Sequence, residues 1–446
     1  MLFSMGKIGF ENLKINLTNI VPTLPDYRKR NNTSHTMYDA LMGAFSVFYM
    51  QSPSFLDWQT TMEETKGNNN ARTMFNIEKI ISPGHIRNIL DHVSPHFIYP
   101  VFQKIFGLLQ QQGIFDSYRS SFGTLPIAID GLWFHQSNTI NCPHCQTVTS
   151  HTGEVRYSHS AVTPVVVHPD QSRVFNLQPE FISPQDGHLK QDCENAAAKR
   201  WLTGPGLAYA ALAVTILADD LYCNQPLITL MTNNHYNFIL SCKDNSHKYL
   251  TQWIAGLDPV LDLHEICKKV RCGKKKETHR YRYANAVPLN GGADAITVNY
   301  VELCILDEAG NIKNRFVYAT NHLIDQSNVE HCVELGRSRW KIENEHNNTM
   351  KNNGYNLEHN FGHGEQHLSN LLCTLNLLAH LFHTVLDCHD DRYRLLRASL
   401  PSRKTFFDDV RALTRYFCFP DWESLMLFML KSLELIDPGD VSEKTI

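Results

Sequence analysis

The run Gly336-Arg337-Ser338-Arg339-Trp340-Lys341-Ile342-Glu343-Asn344-Glu345 sets a carboxylate four residues beyond an arginine, one turn along a helix. Two earlier aspartates each close an apolar, strand-like run: Ile127-Ala128-Ile129-Asp130 and Ile216-Leu217-Ala218-Asp219. Carboxylates drawn from two strand ends and a late helix are what a two-metal phosphoryl-transfer site needs. Each has a competing use. Asp130 precedes Gly131, and Asp-Gly between apolar runs is also a hairpin signal. Asp219 adjoins Asp220, and strand alternation sends neighbouring side chains to opposite faces, so one of the pair can join a shared site. Asp219, which directly ends the apolar run, is preferred. Glu343 and Glu345 lie about 200° apart on a helix, so only one can face the aspartates. Glu343 is preferred, with a surface ion pair to Arg339 as the plainer use.

Two further groups carry chemistry. Lys268, Lys269, Arg271, Lys274, Lys275, Lys276, Arg280 and Arg282 place eight cations within fifteen residues, interleaved with His279 and Tyr281. Such a patch grips phosphate by counterion release and reads little sequence; a solvated loop is the bland alternative. Arg28, Lys29 and Arg30 are further backbone contacts to test. Cys142, Cys145, His151 and His159 form a C-x2-C-x5-H-x7-H series that could hold structural zinc, with Cys193 and His188 as substitute ligands. Free thiols beside exposed histidines are the alternative. His359 and His363 flank Phe361-Gly362, where a role in closing a helix end is preferred over DNA contact.

The elements that must position these groups follow from periodicity. The chain has 446 residues, more than one core usually holds, with 43% apolar residues and a net charge of -4. That charge gives no global pull towards nucleic acid, so a polyanion must be held by local patches. Met1 to Phe10 lacks the order of a secretory signal and no run of about 18 apolar residues occurs, so a cytoplasmic chain with twelve reduced cysteines is expected. Residues 1–124 read as helical, with Met37 to Tyr49 as one helix and Ser82-Pro83 as a helix start. Residues 125–243 read as a mixed α/β sheet: strands at Ile127–Trp133, Ala161–His168 and Arg173–Leu177, a helix over Asp192–Leu202, a buried strand over Ala208–Ala218, a helix at Gln225–Met231 and a strand at Asn237–Lys243. A zinc-binding hairpin would span 141–160. Residues 244–318 read as a basic, β-rich insertion, and 319–446 as the completion of the core, with leucines from 368 to 381 spaced along one helix face.

At this point the chain resembles the DDE transposases of bacterial insertion sequences, within the ribonuclease-H-like integrase superfamily. The resemblance runs from about Asp130 to Leu386 and rests on Ile129-Asp130-Gly131, Leu217-Ala218-Asp219, Lys190-Gln191-Asp192-Cys193-Glu194, and above all Arg339 to Glu345 leading to Lys351-Asn352-Asn353-Gly354-Tyr355 and His359 to Gly364. It implies a ribonuclease-H-like sheet with an insertion before the glutamate helix. It further implies that Asp130, Asp219 and Glu343 hold Mg²⁺ or Mn²⁺ and that Arg339 and Lys351 contact transposon-end DNA. The family's tyrosine position holds Gly336 here, and the lysine falls one residue late. The partners implied are double-stranded DNA, ends and target, and a second copy of the chain on that DNA, nucleoid-associated when bound; no membrane is implied. Two other functions compete: a non-catalytic, zinc-containing DNA-binding protein derived from a transposase, and a ribonuclease-H-like nuclease that hydrolyses without joining.

Overall fold

A computed structural model of the chain describes residues 8–28, 34–184, 193–258, 262–273 and 275–442. Among the described residues six α-helices come first: α1 (Phe10–Thr18), α2 (Met37–Tyr49), α3 (Phe55–Glu63), α4 (Thr65–Phe75), α5 (Pro83–Leu90) and α6 (Tyr99–Gln111). Thr36 caps α2 by accepting from the Asp39 amide at 2.9 Å. Ser82 stands at the N-cap of α5 with Pro83 behind it, but its hydroxyl meets His85 Nδ1 instead of a backbone amide.

The chain then enters one large sheet through β1 (Leu125–Ser137), β2 (Gln146–Thr149), β3 (Val155–Val166), β4 (Phe175–Asn176) and β5 (Glu180–Ile182). Helices α7 (Glu194–Thr203) and α8 (Leu207–Ala210) lead to β6 (Val214–Ala218), α9 (Gln225–Asn233), β7 (Asn237–Ser241) and α10 (Lys248–Ala255). Four long strands follow: β8 (His264–Cys272), β9 (Lys275–Pro288), β10 (Thr297–Leu306) and β11 (Ile312–Thr320). The strand order is β2-β3-β1-β6-β7-β11-β10-β9-β8, with β4 and β5 also paired to β3. β1 and β3 are antiparallel, while β1, β6 and β7 run parallel. Two antiparallel pairings followed by two parallel ones is the ribonuclease-H-like order, and the expected fold class holds.

The structure decides three local points. Asp130 and Gly131 pair with Thr163 and Val162 inside β1, so the Asp-Gly step is not a hairpin turn. The buried strand expected from Ala208 begins only at Val214, because Leu207–Ala210 closes a helical turn first. The β-rich residues read as an insertion join the same sheet: β11 pairs with β7 and extends it outward through β10, β9 and β8.

After the sheet come α11 (Val329–Arg337), a π-helical stretch at Ile342–Asn347, α12 (Asn348–Asn352), α13 (Leu368–His389), α14 (Asp391–Ser399), α15 (Arg403–Tyr416), α16 (Trp422–Ser432) and α17 (Pro438–Ser442). By length and composition α13 could cross a membrane, yet 89% of its apolar window is buried inside the protein. It is the central core helix. Phe382 packs edge-on against Phe45 of α2, their ring centres 5.0 Å apart. Asn70 on α4 donates to the carbonyls of Thr414 and Phe417, both at 2.7 Å. Early and late helices therefore share one apolar core on one face of the sheet, and α11 covers the other face.

Candidate functional site

The parallel pairing of β1 with β6 places the two aspartates. Ala128 is opposite Leu217, so two residues further on Asp130 and Asp219 reach matching positions just past that ladder. Ala128 and Leu217 bury on the α11 face, among Val329, Cys332, Val333 and Ile342. With a side-chain period of two, Asp130 and Asp219 point to that same face. The Asp219 carboxylate accepts from the Leu221 amide at 2.9 Å, as a turn acceptor would. Asp220 is committed elsewhere: it accepts from the Lys243 amide and the Ser246 hydroxyl, both at 2.5 Å, and faces His247 at 3.4 Å.

The late acid arrives from the segment after α11. Arg339 Nη1 lies 3.1 Å from Asp130 Oδ2 and 2.9 Å from Glu343 Oε1, so one guanidinium bridges both acids. Glu343 lines an open cleft of about 410 Å³ with Gly131, Leu132, Trp133, Asn347, Asn348, Lys351 and Asn352. Glu345 opens into a different cleft, beside Phe316, Arg337 and Trp340. The helix expected around Glu343 is wound as a π-helix from Ile342 to Asn347, an irregularity found often where a helix serves a site. Lys351 pairs with Glu358 at 2.7 Å on the wall of the Glu343 cleft.

Burial pushes the Asp130 carboxyl up to about 6; the Arg339 charge opposes this, and the nearby Asp219 and Glu194 charges add to it. Glu194 is the residue that spacing alone could not place. It opens α7 on the opposite face of β1, and a Cβ built on Gly131 would come within 2.4 Å of its Oε2. Its other oxygen accepts from the Tyr222 hydroxyl at 2.6 Å, and burial raises its own proton affinity. The carboxyls of Asp219 and Glu194 thus lie near Asp130 in the middle of β1, and Gly131 is the residue that leaves room for that of Glu194. Lys190, Gln191 and Asp192 of the same motif lie outside the described residues, as do His188, Lys29, Arg30 and Lys274.

Gly336 has a packing reason. A Cβ there would come within 2.7 Å of the Tyr318 ring and 3.0 Å of Ile239, so α11 lies too close to the sheet for any larger residue. A tyrosine at 336 has no room.

The basic stretch is the β8–β9 hairpin. Five strand spacings separate β9 from β1, about 24 Å across the sheet. Register puts Lys269, Arg271, Lys276, Arg280 and Arg282 on one face and Lys268 on the other. Lys268 reaches Glu330 of α11 at 2.5 Å, and Arg282 joins Arg315 on the buried carboxylate of Glu302. Lys269, Arg271 and Lys276 remain exposed at the hairpin's outer end. Arg28 is engaged by Asp26 at 2.7 Å and by the His35 carbonyl.

The Cys/His series is only partly as expected. Cys142, Cys145 and His159 converge, but the fourth member is His363, from the loop after α12. His151 sits exposed on the turn between β2 and β3, because that turn projects away from the cysteines. Cys193 is exposed and outside the group. Among the described residues one other such group occurs, Cys223, Cys242 and His247, and the three carboxylates do not form a third. Their oxygens stay apart with Arg339 between two of them. Carboxylate oxygens are nevertheless the ligand type that Mg²⁺ and Mn²⁺ take, so the donor set fits a hard divalent cation.

Residues 196–382 match the family described as the transposase DDE domain; Asp219 and Glu343 fall within the match, and Asp130 precedes it. Among solved structures, a piggyBac transposase synaptic complex with hairpin DNA, seen by cryo-EM, aligns over 96% of this chain and 78% of that one at 9% identity and a TM-score of 0.41. No curated protein matches.

Proposed function

We propose that this chain, of which residues 196–382 match the transposase DDE domain, is a DDE transposase that cuts DNA at the ends of its own mobile element and joins the 3′-hydroxyls to a target, using Mg²⁺ or Mn²⁺. The observation that carries the reading is that Asp130, inside β1, and Asp219, just past β6, stand at matching positions beyond the β1–β6 ladder, on the face where Arg339 ties Asp130 to Glu343. Asp130, Asp219 and Glu343 would hold the cations. When bound, these would activate the attacking oxygen and stabilise the leaving one in an in-line displacement at phosphorus.

The chain's own groups account for the rest. Arg339 neutralises two acids that would otherwise repel, and its planar donors suit a phosphate equally well, so DNA entering the cleft competes for the same guanidinium. Lys351 stands on the cleft wall and Trp133, half-exposed, offers a face on which a base can stack. Lys269, Arg271 and Lys276 sit far enough away to hold flanking duplex by its phosphates, with affinity that falls steeply in salt. Two copies of the chain on paired ends are part of this reading.

The test is cleavage and joining of a labelled duplex bearing the inverted repeats that flank the reading frame, with Mn²⁺, for native protein beside Asp130→Ala, Asp219→Ala and Glu343→Gln. The expected result is activity for the native chain and none for the variants, with DNA binding retained. Nicking without joining would indicate a nuclease, and tight binding without cleavage a DNA-binding protein.

A further inference from the structure

Four soft donors from distant parts of the chain meet at one point beside the carboxylate cleft. Cys142 Sγ and Cys145 Sγ are 3.9 Å apart, and each lies 3.4 Å from His159 Nε2. His363 Nε2 is 3.3 Å from Cys145 Sγ and 3.4 Å from His159 Nε2, and all four ligand atoms lie within 4.8 Å of one another. Bond lengths for zinc set at tetrahedral angles require about 3.8 Å between two sulfurs, about 3.5 Å between sulfur and nitrogen and about 3.3 Å between two nitrogens. The five separations given match those edges. Two imidazole nitrogens aimed at each other and at two sulfurs hold no stable arrangement of lone pairs unless protons or a cation stand between them. A backbone amide, that of Cys142, also donates to Cys145 Sγ at 3.4 Å.

We infer that Cys142, Cys145, His159 and His363 bind one structural zinc ion, which clasps the β1–β3 hairpin to the segment that follows Glu343. Four protein ligands in a tetrahedron leave no open position, so the ion structures the fold and does not act on substrate. The clasp spans 221 residues of sequence between Cys142 and His363, the kind of long loop whose closure a cross-link favours most in theory. Its two sides continue directly into the cleft: β1 carries Asp130 and Gly131 towards the hairpin, and the chain runs from Glu343 through Lys351 to His363. Zinc would therefore fix the distance between the two walls. The ion's presence does not depend on the DNA-joining reading, so either can fail alone.

The test is metal content of the full chain, expressed with zinc and purified without chelators, for native protein and for Cys145→Ser, His363→Ala, His363→Cys and His151→Ala. About one equivalent of zinc is expected to be lost in Cys145→Ser and His363→Ala, kept in His151→Ala, and restored in His363→Cys, which supplies another soft ligand. Because the readout is a difference between variants, metal held at Cys223, Cys242 and His247 does not enter. Cobalt-substituted native protein should show the visible absorption of a tetrahedral sulfur–nitrogen site, weakened in Cys145→Ser even if that variant is partly unfolded. Full zinc in His363→Ala, loss in His151→Ala, or a zinc-free native chain with two fewer titratable thiols, the mark of a Cys142–Cys145 disulfide, would each overturn the clasp.

Discussion

The carboxylate site and the Cys/His cluster share two stretches of chain, β1 with its hairpin and the segment after α11, with β6 adding Asp219 to the acids alone, yet their donors are arranged in opposite ways. The soft donors are gathered to ligand distance. The acids are held apart, with Arg339 between Asp130 and Glu343, and Glu343 keeps 45% of its side chain exposed. A closed set of four suits an ion kept for the life of the fold, whereas an open set suits ions whose remaining ligands come with the substrate. Cation binding at the acids should accordingly be weak without DNA.

The largest effect that could break this comparison separates Glu343 from Glu345. Glu343→Gln should lower strand transfer more than about 100-fold, since several kcal/mol of charge stabilisation goes with a lost metal ligand. Glu345→Gln, in the other cleft, should stay within about threefold of native and so keep all but a small part of that energy. Comparable losses in the two variants would remove Glu343 from its proposed place.

A smaller effect sharpens the contrast through packing. Gly336→Ala drives a methyl group into the Tyr318 ring, an overpacking that costs about 1–3 kcal/mol and tilts α11 off the sheet. Arg339 and Glu343 follow α11 directly and should lose their register with Asp130. His363 is anchored beyond α12, so zinc content should not change. Strand transfer measured beside bound zinc would show the first falling alone.

The contrast also shows what could be read from the sequence. The alignment of Asp130 with Asp219 and the Arg339–Glu343 spacing could be read because alternation along a strand and turns of a helix are local patterns, whereas the order of the strands in the sheet is set by long-range pairing. Cys142, Cys145 and His159 were legible for the same reason. His363 was not, because its partners lie more than 200 residues away and only the packing of α13 beneath the sheet brings its loop back to β1. His151 had better spacing and the wrong side of a turn. Glu194 was visible only as part of a motif; its place opposite Gly131 depends on α7 crossing the far face of β1. The hairpin cations looked alike in sequence; register turns Lys268 to the face of Glu330, while position along β9 brings Arg282, on the same face as Lys269, Arg271 and Lys276, to Glu302.

Acidity should distinguish the acids further. If Asp130 must be ionised to hold a cation, strand transfer should fall as pH drops through about 6. Arg339→Ala removes the positive charge that opposes protonation, so the acidic limb should move to higher pH, as measured by rate against pH at Mn²⁺ well below saturation, where proton and cation do not compete strongly for Asp130. A limb that stays in place would mean that another group sets it.

The smallest effect expected is one of stability, and it has an unusual sign. Asp130 titrates near 6 when folded against 3.8 as a free side chain, so between those values the folded chain holds a proton that the unfolded chain has lost. Folding stability then declines as pH rises through that window, and the whole penalty, on the order of 1–3 kcal/mol, is present above it. Asp130→Asn removes the penalty. It should melt a few degrees above the native chain at pH 7.5, and the difference should shrink towards zero at pH 4. Mn²⁺ should raise the melting temperature of the native chain more than that of Asp130→Asn, because a ligand stabilises only the state that binds it. On the proposed reading, an acid that destabilises its own fold until a cation arrives is the expected counterpart of a cluster that would keep its ion. If Asp130→Asn lowers the melting temperature at pH 7.5, the Asp130–Arg339 pair is holding the fold together, and the cleft is structural where it has been read as catalytic.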